Sequence, residues 1–204
     1  MDTKVNILID GGFFFQKFKE REARPPKADD VEKEVGVIMN LLKKKTNGET
    51  NDILFRIYYY DCKPFGGKVK KPGETHETDW SKSKGYYAKD RVLQELAQKE
   101  RFAVRLGELS FDGWDELKSI GEDGKETIEY KPKLRQKGVD MKVGLDMAMM
   151  GMKRLVDKVV LVAGDSDFIA PIKFVRKEGL QVYLYSMGHV IKSKLIEHCD
   201  FKLS

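Results

Sequence analysis

Residues 5–9 form a short apolar run that ends in Asp10-Gly11-Gly12, the pattern of a buried strand entering a tight turn and then a helix. A polar stretch over 21–27, broken by Pro25-Pro26, leads to a second predicted helix over 31–45. That helix is apolar at Val31, Val35, Ile38, Leu41 and Leu42, has Asp29 or Asp30 as its expected cap, and stops at Asn47-Gly48. Residues 53–60, rich in β-branched and aromatic side chains, predict a second strand. A helix is expected over 86–99, with Val92, Leu93 and Leu96 on one face, and a third strand over 102–109. Between 139 and 156 apolar residues fall almost all round the helical wheel, Met141, Met147, Met149, Met150 and Met152 among them. Such a helix is expected to be largely buried, with its methionines as core filler rather than a soft-metal site. The remaining pattern predicts a strand over 159–163, a helix over 168–177 stopped by Gly179, a strand over 181–185 and a last helix over 190–198.

Strands alternating with helices in this way specify an α/β fold, with a predominantly parallel central sheet covered by helices on both faces. A chain of 204 residues suits one well-cored domain, and no internal repeat or low-complexity tract divides it. Two stretches, at about 61–85 and 110–135, lack periodicity and read as irregular insertions. The first carries Gly66-Gly67, two prolines and Lys63, Lys68, Lys70 and Lys71, which suits a loop or flap. The second is expected to turn at Asp123-Gly124 in a small hairpin, and it leads into the basic series Lys131, Lys133, Arg135 and Lys137.

Composition sharpens the class without naming a function. A hydrophobic fraction of 41% beside 35% charged residues excludes the disordered class. The net charge of +5 leans toward a polyanionic partner, although 33 acidic residues dilute the 38 basic ones. Cys62 and Cys199 form neither a CxxC pair nor a disulfide framework, which fits a reducing compartment, and no zinc ligand set is visible. Cys199 beside His198 lacks an orienting third group, so a thiol nucleophile is not expected. With no signal-peptide pattern ahead of the first strand and no long apolar run, the chain is expected to be soluble and cytoplasmic, without a membrane partner.

The placement of the acids carries the chemistry. In parallel α/β sheets ligands gather outside the carboxyl ends of the strands, where loops and helix N-termini converge. Asp10 directly follows the first strand, and Asp165 and Asp167 follow the strand over 159–163 through Gly164. If residues 164–167 stay extended, alternation turns Asp165 and Asp167 to the same side. Asp140 follows Gly138 at the start of the long helix, a place that capping and the helix dipole also favour for a carboxylate. Asp146 stands roughly 120° further around that helix and ranks below the others. Taken singly, these acids are equally well explained as turn or cap residues. Taken as a set they repel one another until hard divalent cations neutralise them, and magnesium or manganese is the natural choice. Two such ions activate water and stabilise the leaving oxygen of a phosphodiester without a His or Cys nucleophile.

Three segments resemble the NYN domain of the PIN-like nuclease superfamily, a family once grouped with the LabA-like proteins. They are Ile7-Leu8-Ile9-Asp10-Gly11-Gly12, then Gln136-Lys137-Gly138-Val139-Asp140 followed by Asp146, and last Leu161-Val162-Ala163-Gly164-Asp165-Ser166-Asp167-Phe168. The second and third are the specific ones, and with the continuation to Tyr185 the likeness spans most of the chain outside the two insertions. The resemblance implies a PIN-like fold and a catalytic set of Asp10, Asp140, Asp165 and Asp167 holding Mg2+ or Mn2+, with Asp146 a lesser metal candidate. It also implies nucleic acid as substrate, RNA rather than DNA. One position departs: many members have Asn three residues after the first Asp, where this chain has Phe13, so a polar contact is missing there.

Arg135 and Lys137, beside Asp140, are candidate phosphate contacts, although a basic pair ahead of a helix is ordinarily solvated surface. Lys68, Lys70 and Lys71, with Phe65, Trp80, Tyr86 and Tyr87 nearby, would suit a single strand whose bases stack on aromatics. Glu74, Glu77 and Asp79 interrupt that basic character, which favours a loop that packs its own aromatics. The leading expectation is hydrolysis of RNA. A Toprim-like site is weaker because it leaves Asp140 unexplained, and a haloacid-dehalogenase phosphatase is weaker still because Gly12 stands where its second aspartate belongs. From a different class, a nucleic-acid-binding or assembly module that no longer cleaves is the rival that Phe13 favours. The sequence leaves open whether the protein forms a homo-oligomer.

Overall fold

The computed structural model describes residues 2–120 and 126–203; the expected Asp123-Gly124 turn lies outside the described residues. Strand β1 (Asp2–Asp10) runs into helix α1 (Gly11–Glu22), and α2 (Ala28–Lys45) leads to β2 (Asn51–Cys62). A small flap follows, made of β3 (Lys68–Lys70) and β4 (Glu77–Asp79), and then α3 (Lys84–Gln98). Next come β5 (Phe102–Ile120), β6 (Glu126–Lys137), α4 (Val139–Met152), β7 (Lys158–Val162), α5 (Ile169–Lys177), β8 (Gln181–Tyr185), a short α6 (Ser193–Ile196) and β9 (Phe201–Leu203).

The strands form one seven-stranded sheet in the order β6-β5-β2-β1-β7-β8-β9, in which only β6 runs antiparallel to its neighbour. Period-two alternation divides its core between two faces. Val5, Ile7, Ile9, Ile57, Tyr59, Val160 and Val162 turn to the face packed by α1, α2 and α3, with Phe14, Val35, Ile38 and Leu96. Leu8, Tyr58, Tyr60, Val159, Leu161, Val182 and Leu184 turn to the other, packed by α4 and α5 through Val143, Met147, Ile172 and Val175. Burial on both faces explains why β1, β7 and β8 read as unbroken apolar runs.

Connectivity positions the site. From β1 the chain moves outward to β2 and then β5, and it later returns to β7 on the other side of β1 and moves outward to β8. The crevice between the carboxyl ends of β1 and β7 is therefore the topological switch point, the place where ligands bind in open α/β sheets.

Several elements differ from expectation. Helix α2 starts earlier, with Lys27 at its cap, and Asp30 closes the turn from inside by accepting the Lys27 backbone N–H at 2.8 Å. Residues 110–120 and 126–135 are not irregular: β5 continues to Ile120 and pairs with β6 from Glu108↔Lys137 to Ile120↔Glu126. Its pairing with β2 stops at Cys62↔Gly107, so from Glu108 onward the two strands form a ribbon that rises past the carboxyl rim. Most of the ribbon is solvated on both faces, which erases the apolar alternation that marks a half-buried strand. Residues 61–85 likewise contain the β3–β4 flap and a 3-10 turn at Trp80–Lys82.

Helix α4 is not largely buried. Val143, Met147 and Met150 are in the core, whereas Met141 is 70% exposed, Leu145 64% and Met152 60%. The sheet and α5 cover one side of the helix and nothing covers the other among the described residues, a distinction that an all-round apolar pattern cannot encode. The last expected helix shrinks to the four residues of α6, and β9 adds an unforeseen edge strand beside β8.

Candidate active site

Asp10 ends β1 in an extended conformation (φ −68°, ψ 107°), and its Oδ1 accepts the backbone N–H groups of Gly12 (3.0 Å) and Phe13 (3.1 Å). It is therefore the N-cap of α1, and its second oxygen has no hydrogen-bond donor among the described residues. Asp165 stands past the end of β7 and caps a 3-10 turn, Ser166–Phe168, by accepting the Asp167 N–H at 3.0 Å. The segment is thus a tight turn rather than the extended stretch that alternation assumed, and both Asp165 and Asp167 are exposed at the rim.

Asp140 tests the capping explanation directly. The N-cap of α4 is Gly138, in the left-handed region at φ 77°, and no side chain caps the helix. Asp140 lies one residue inside the first turn, where the helix dipole favours its charge but no backbone N–H is satisfied by it.

Electrostatics ties these acids together. Burial pushes the Asp10 carboxyl up to about 6 against the lowering effect of its two backbone bonds, and the charges of Asp140 and Asp61 push the same way. Asp140 is also held above the usual carboxylate range, first by burial of its surroundings and then by Asp165 and Asp167. No lysine or arginine pairs with Asp10, Asp140, Asp165 or Asp167 among the described residues. The four acids lie at the switch point within one another's fields and without an internal counter-charge.

Asp61 was missed by sequence reasoning. It is 4% exposed, sits at the carboxyl end of β2 beside the Asp10 turn, and binds the Lys89 ammonium of α3 at 2.7 Å. The signal was present, because Asp61 follows the apolar run of β2 as Asp10 follows that of β1, but the residue was assigned to the start of the insertion. Gln136 was passed over as well: its side-chain amide comes within 3.6 Å of a Cβ built at Gly12, which places a neutral polar group over the Asp10 turn.

Phe13 makes a packing contact. A Cβ built at Gly164 would stand 2.6 Å from Phe13 Cε2, so the edge of the ring packs against the glycine between β7 and Asp165. The two loops of the switch point are braced against each other there.

The remaining candidates are dispersed. Asp146 accepts from Tyr60 Oη at 3.0 Å and from Arg105 Nε at 3.2 Å, and is engaged away from the rim acids. Arg135 pairs with Asp112 across the ribbon at 3.0 Å, whereas Lys137 is exposed at the end of β6, three residues before Asp140. Lys68 and Lys70 are exposed on β3 of the flap, and Lys71 begins the turn toward β4. The flap is docked on the ribbon: Trp114 Nε1 donates to the Lys70 carbonyl at 3.0 Å, and Phe65 stacks on Phe111 with ring centroids 5.7 Å apart. Trp80 lies 6.4 Å from Trp114. Phe65 and Trp80 thus serve packing, while Tyr87 remains 61% exposed.

A mostly parallel α/β sheet with uncompensated carboxylates at its switch point is the architecture of the PIN-like nucleases. The chain belongs to the NYN domain family, which matches residues 34–203 and is part of that superfamily. The match includes Asp61, Asp140, Asp165 and Asp167, while β1 and Asp10 precede it. A crystal structure of a protein of unknown function from Vibrio parahaemolyticus is similar over 98% of this chain and 91% of that one, at TM-score 0.51 and 15% identity. At that identity the likeness concerns the fold. No curated protein matches the chain. No helix among the described residues is long and apolar enough to cross a membrane.

Proposed function

We infer that the protein is a divalent-metal-dependent nuclease that hydrolyses phosphodiester bonds, with RNA as substrate. The observation that carries this reading is the unpaired state of Asp10, Asp140, Asp165 and Asp167 at the switch point, where burial and mutual repulsion hold Asp10 and Asp140 above the ordinary carboxylate range. An all-oxygen, anionic donor set suits Mg2+ or Mn2+. Among the described residues no three acid, histidine or cysteine side chains are grouped closely enough to hold a metal ion by themselves. Magnesium would be held here by one or two of these carboxylates together with waters and substrate phosphate oxygens. When bound, such ions activate water and stabilise the charge of the leaving oxygen.

The chain's own residues account for the rest. One oxygen of Asp10 accepts two backbone N–H groups and one oxygen of Asp165 accepts one, which leaves the second oxygen of each for an ion. Asp140 adds charge from α4, and the Phe13–Gly164 contact holds the β1 and β7 loops at a constant separation. Lys137 is placed to meet the phosphate backbone, and Gln136 offers a polar contact over the Asp10 turn. Lys68, Lys70 and Lys71 on the flap, which docks on the ribbon that carries Arg135, add further basic groups. A second reading, a binding module that no longer cleaves, is favoured by Phe13 in place of a polar side chain.

The test is cleavage of labelled single-stranded and duplex RNA and DNA by the wild type and by Asp10→Ala/Asp165→Ala, each with Mg2+, Mn2+ or chelator. Metal-dependent products from the wild type alone are expected. Full activity in the purified double variant overturns the assignment, and binding without products from a folded wild type moves the protein to the silent class.

A further inference from the structure

A cleft of about 570 Å3 opens between α1, the 23–27 linker and α3, on the sheet face opposite α4. Its walls are mostly apolar, with Phe15 from α1, Pro25 and Pro26 from the linker, and Ala88 and Val92 from α3, while Lys27, Arg91 and Glu95 also line it. Phe15 is 41% exposed, an unusual position for a phenylalanine whose helix neighbours Phe14 and Phe18 are in the core. The floor is Tyr59, and at the inner end lie Asp61 and Lys89, paired at 2.7 Å. Tyr59 Oη makes no hydrogen bond among the described residues.

The cleft lies beside the Asp10 turn, with none of the four rim acids in its lining. Tyr59 and Asp61 line it, and the same two residues abut Gly11: a Cβ built there would be 2.9 Å from Tyr59 Cε1 and 2.9 Å from Asp61 Oδ2. The inner end is therefore formed by the residues against which the Asp10-Gly11 turn is packed. A slot of this size with aromatic and aliphatic walls fits a planar ring, and a carboxylate beside an ammonium at its end offers an acceptor and a donor to the ring's polar edge.

We propose that this cleft takes an unpaired nucleobase of the substrate, flanking the phosphate held at the rim. The inference rests on the nucleic-acid reading given above and deepens it. A base held in a duplex cannot enter a slot between two helices, so the cleft makes the protein selective for single-stranded segments, loops or ends. Phe15, the exposed ring, supplies the stacking surface above the buried floor of Tyr59, and Asp61 with Lys89 reads the edge.

Two variants fill the cleft without touching the rim acids. Ala88→Trp starts from an exposed residue of α3, and Gly85→Trp from a glycine with open space at its Cβ position. Both are placed in the Asp10→Ala background, so that binding is read without cleavage. Fluorescence of short single-stranded oligonucleotides carrying 2-aminopurine is followed with EDTA present, and adenosine and cytidine monophosphates are titrated against the 15N-labelled protein. The expected result is nucleotide-dependent shifts at Phe15, Ala88 and Val92, and affinity for the single strand weakened about tenfold or more by either filling variant, with thermal unfolding unchanged. Shifts confined to other surfaces, or unchanged affinity in both folded filling variants, overturn the proposal. The two readings fail separately: a wild type that binds bases in the cleft but never cleaves loses only the nuclease assignment, and one that cleaves while filling variants bind normally loses only the cleft.

Discussion

Asp52 and Asp10, at the two ends of the sheet, are held in opposite ways. At the amino end Asp52 is held by Lys158 at 2.6 Å and by Thr50 at 3.1 Å, with a further bond from Thr3. Both side chains of the ion pair are 4% exposed. The bonds from Lys158, Thr3 and Thr50 outweigh burial and hold the Asp52 acid below its ordinary range. At the carboxyl end Asp10 is partly buried too, yet no cation answers it, and its carboxyl is pushed up to about 6. An acid that serves the fold arrives with its partner on the same chain. An acid left repelling its neighbours needs something the chain does not supply.

The largest contrast is in activity. Asp10→Ala/Asp165→Ala is expected to lower metal-dependent cleavage by at least about two to three orders of magnitude, as loss of preorganised charge at a reacting phosphate does, with no fall in melting temperature. Lys158→Met gives the reverse pattern. Leaving Asp52 buried and unpaired should lower stability by about 3–5 kcal/mol in urea unfolding, with cleavage per folded molecule unchanged. Equal stability losses at the two ends would erase the distinction.

Acidity sharpens the comparison at intermediate magnitude. The folded pKa of Asp10, about 6, lies above that of an unfolded aspartate. Its contribution to the stability of the metal-free protein is therefore present below about pH 4 and is lost as pH rises through 6. Asp30, pulled down to about 2 by its bonds to Arg24, behaves oppositely: its contribution is present above about pH 4 and is lost as pH falls through 2. Denaturant titrations of the wild type and Asp10→Asn between pH 4 and 7 are expected to differ by about 2 kcal/mol in slope-integrated stability after solvent screening, and Mg2+ should shrink that difference. A pH-independent gap between them would separate Asp10 from this account.

The smallest effect concerns the brace between the rim loops. Gly164→Ala drives a methyl into the Phe13 ring and is expected to destabilise by about 1–2 kcal/mol, while Phe13→Leu should relieve part of that strain in the double variant. Strict additivity in calorimetry would show that the two residues do not communicate.

Much of this architecture was legible in the chain, and the illegible parts share a cause. Strands buried on both faces, such as Lys158–Val162 and Gln181–Tyr185, announce themselves as apolar runs, and the acids that follow them fall on the rim by the rule for parallel sheets. The β5–β6 ribbon gives no such signal, because strands solvated on both faces need no apolar alternation. Helix α4 gives too much signal, since Met141 and Leu145 look like core residues until the absence of a covering element is seen. Asp61 was hidden by its neighbours, standing between a clear strand and an aperiodic insertion, and its Lys89 partner is 28 residues away in sequence. The Asp165 turn was misjudged because alternation presumes extended backbone, whereas an aspartate that accepts the N–H two residues on favours a 3-10 turn.

The end of the β2–β5 ladder at Cys62↔Gly107 has a consequence for how such a protein diversifies. Beyond it the ribbon pairs only with itself and the flap rests on the ribbon, so lengthening or shortening either changes no hydrogen bond of the parallel strands. At roughly 3.3 Å per residue the strand from Glu108 to Ile120 reaches about 40 Å past the rim. Descendants of this chain can exchange that reach while inheriting the acids at its base unaltered.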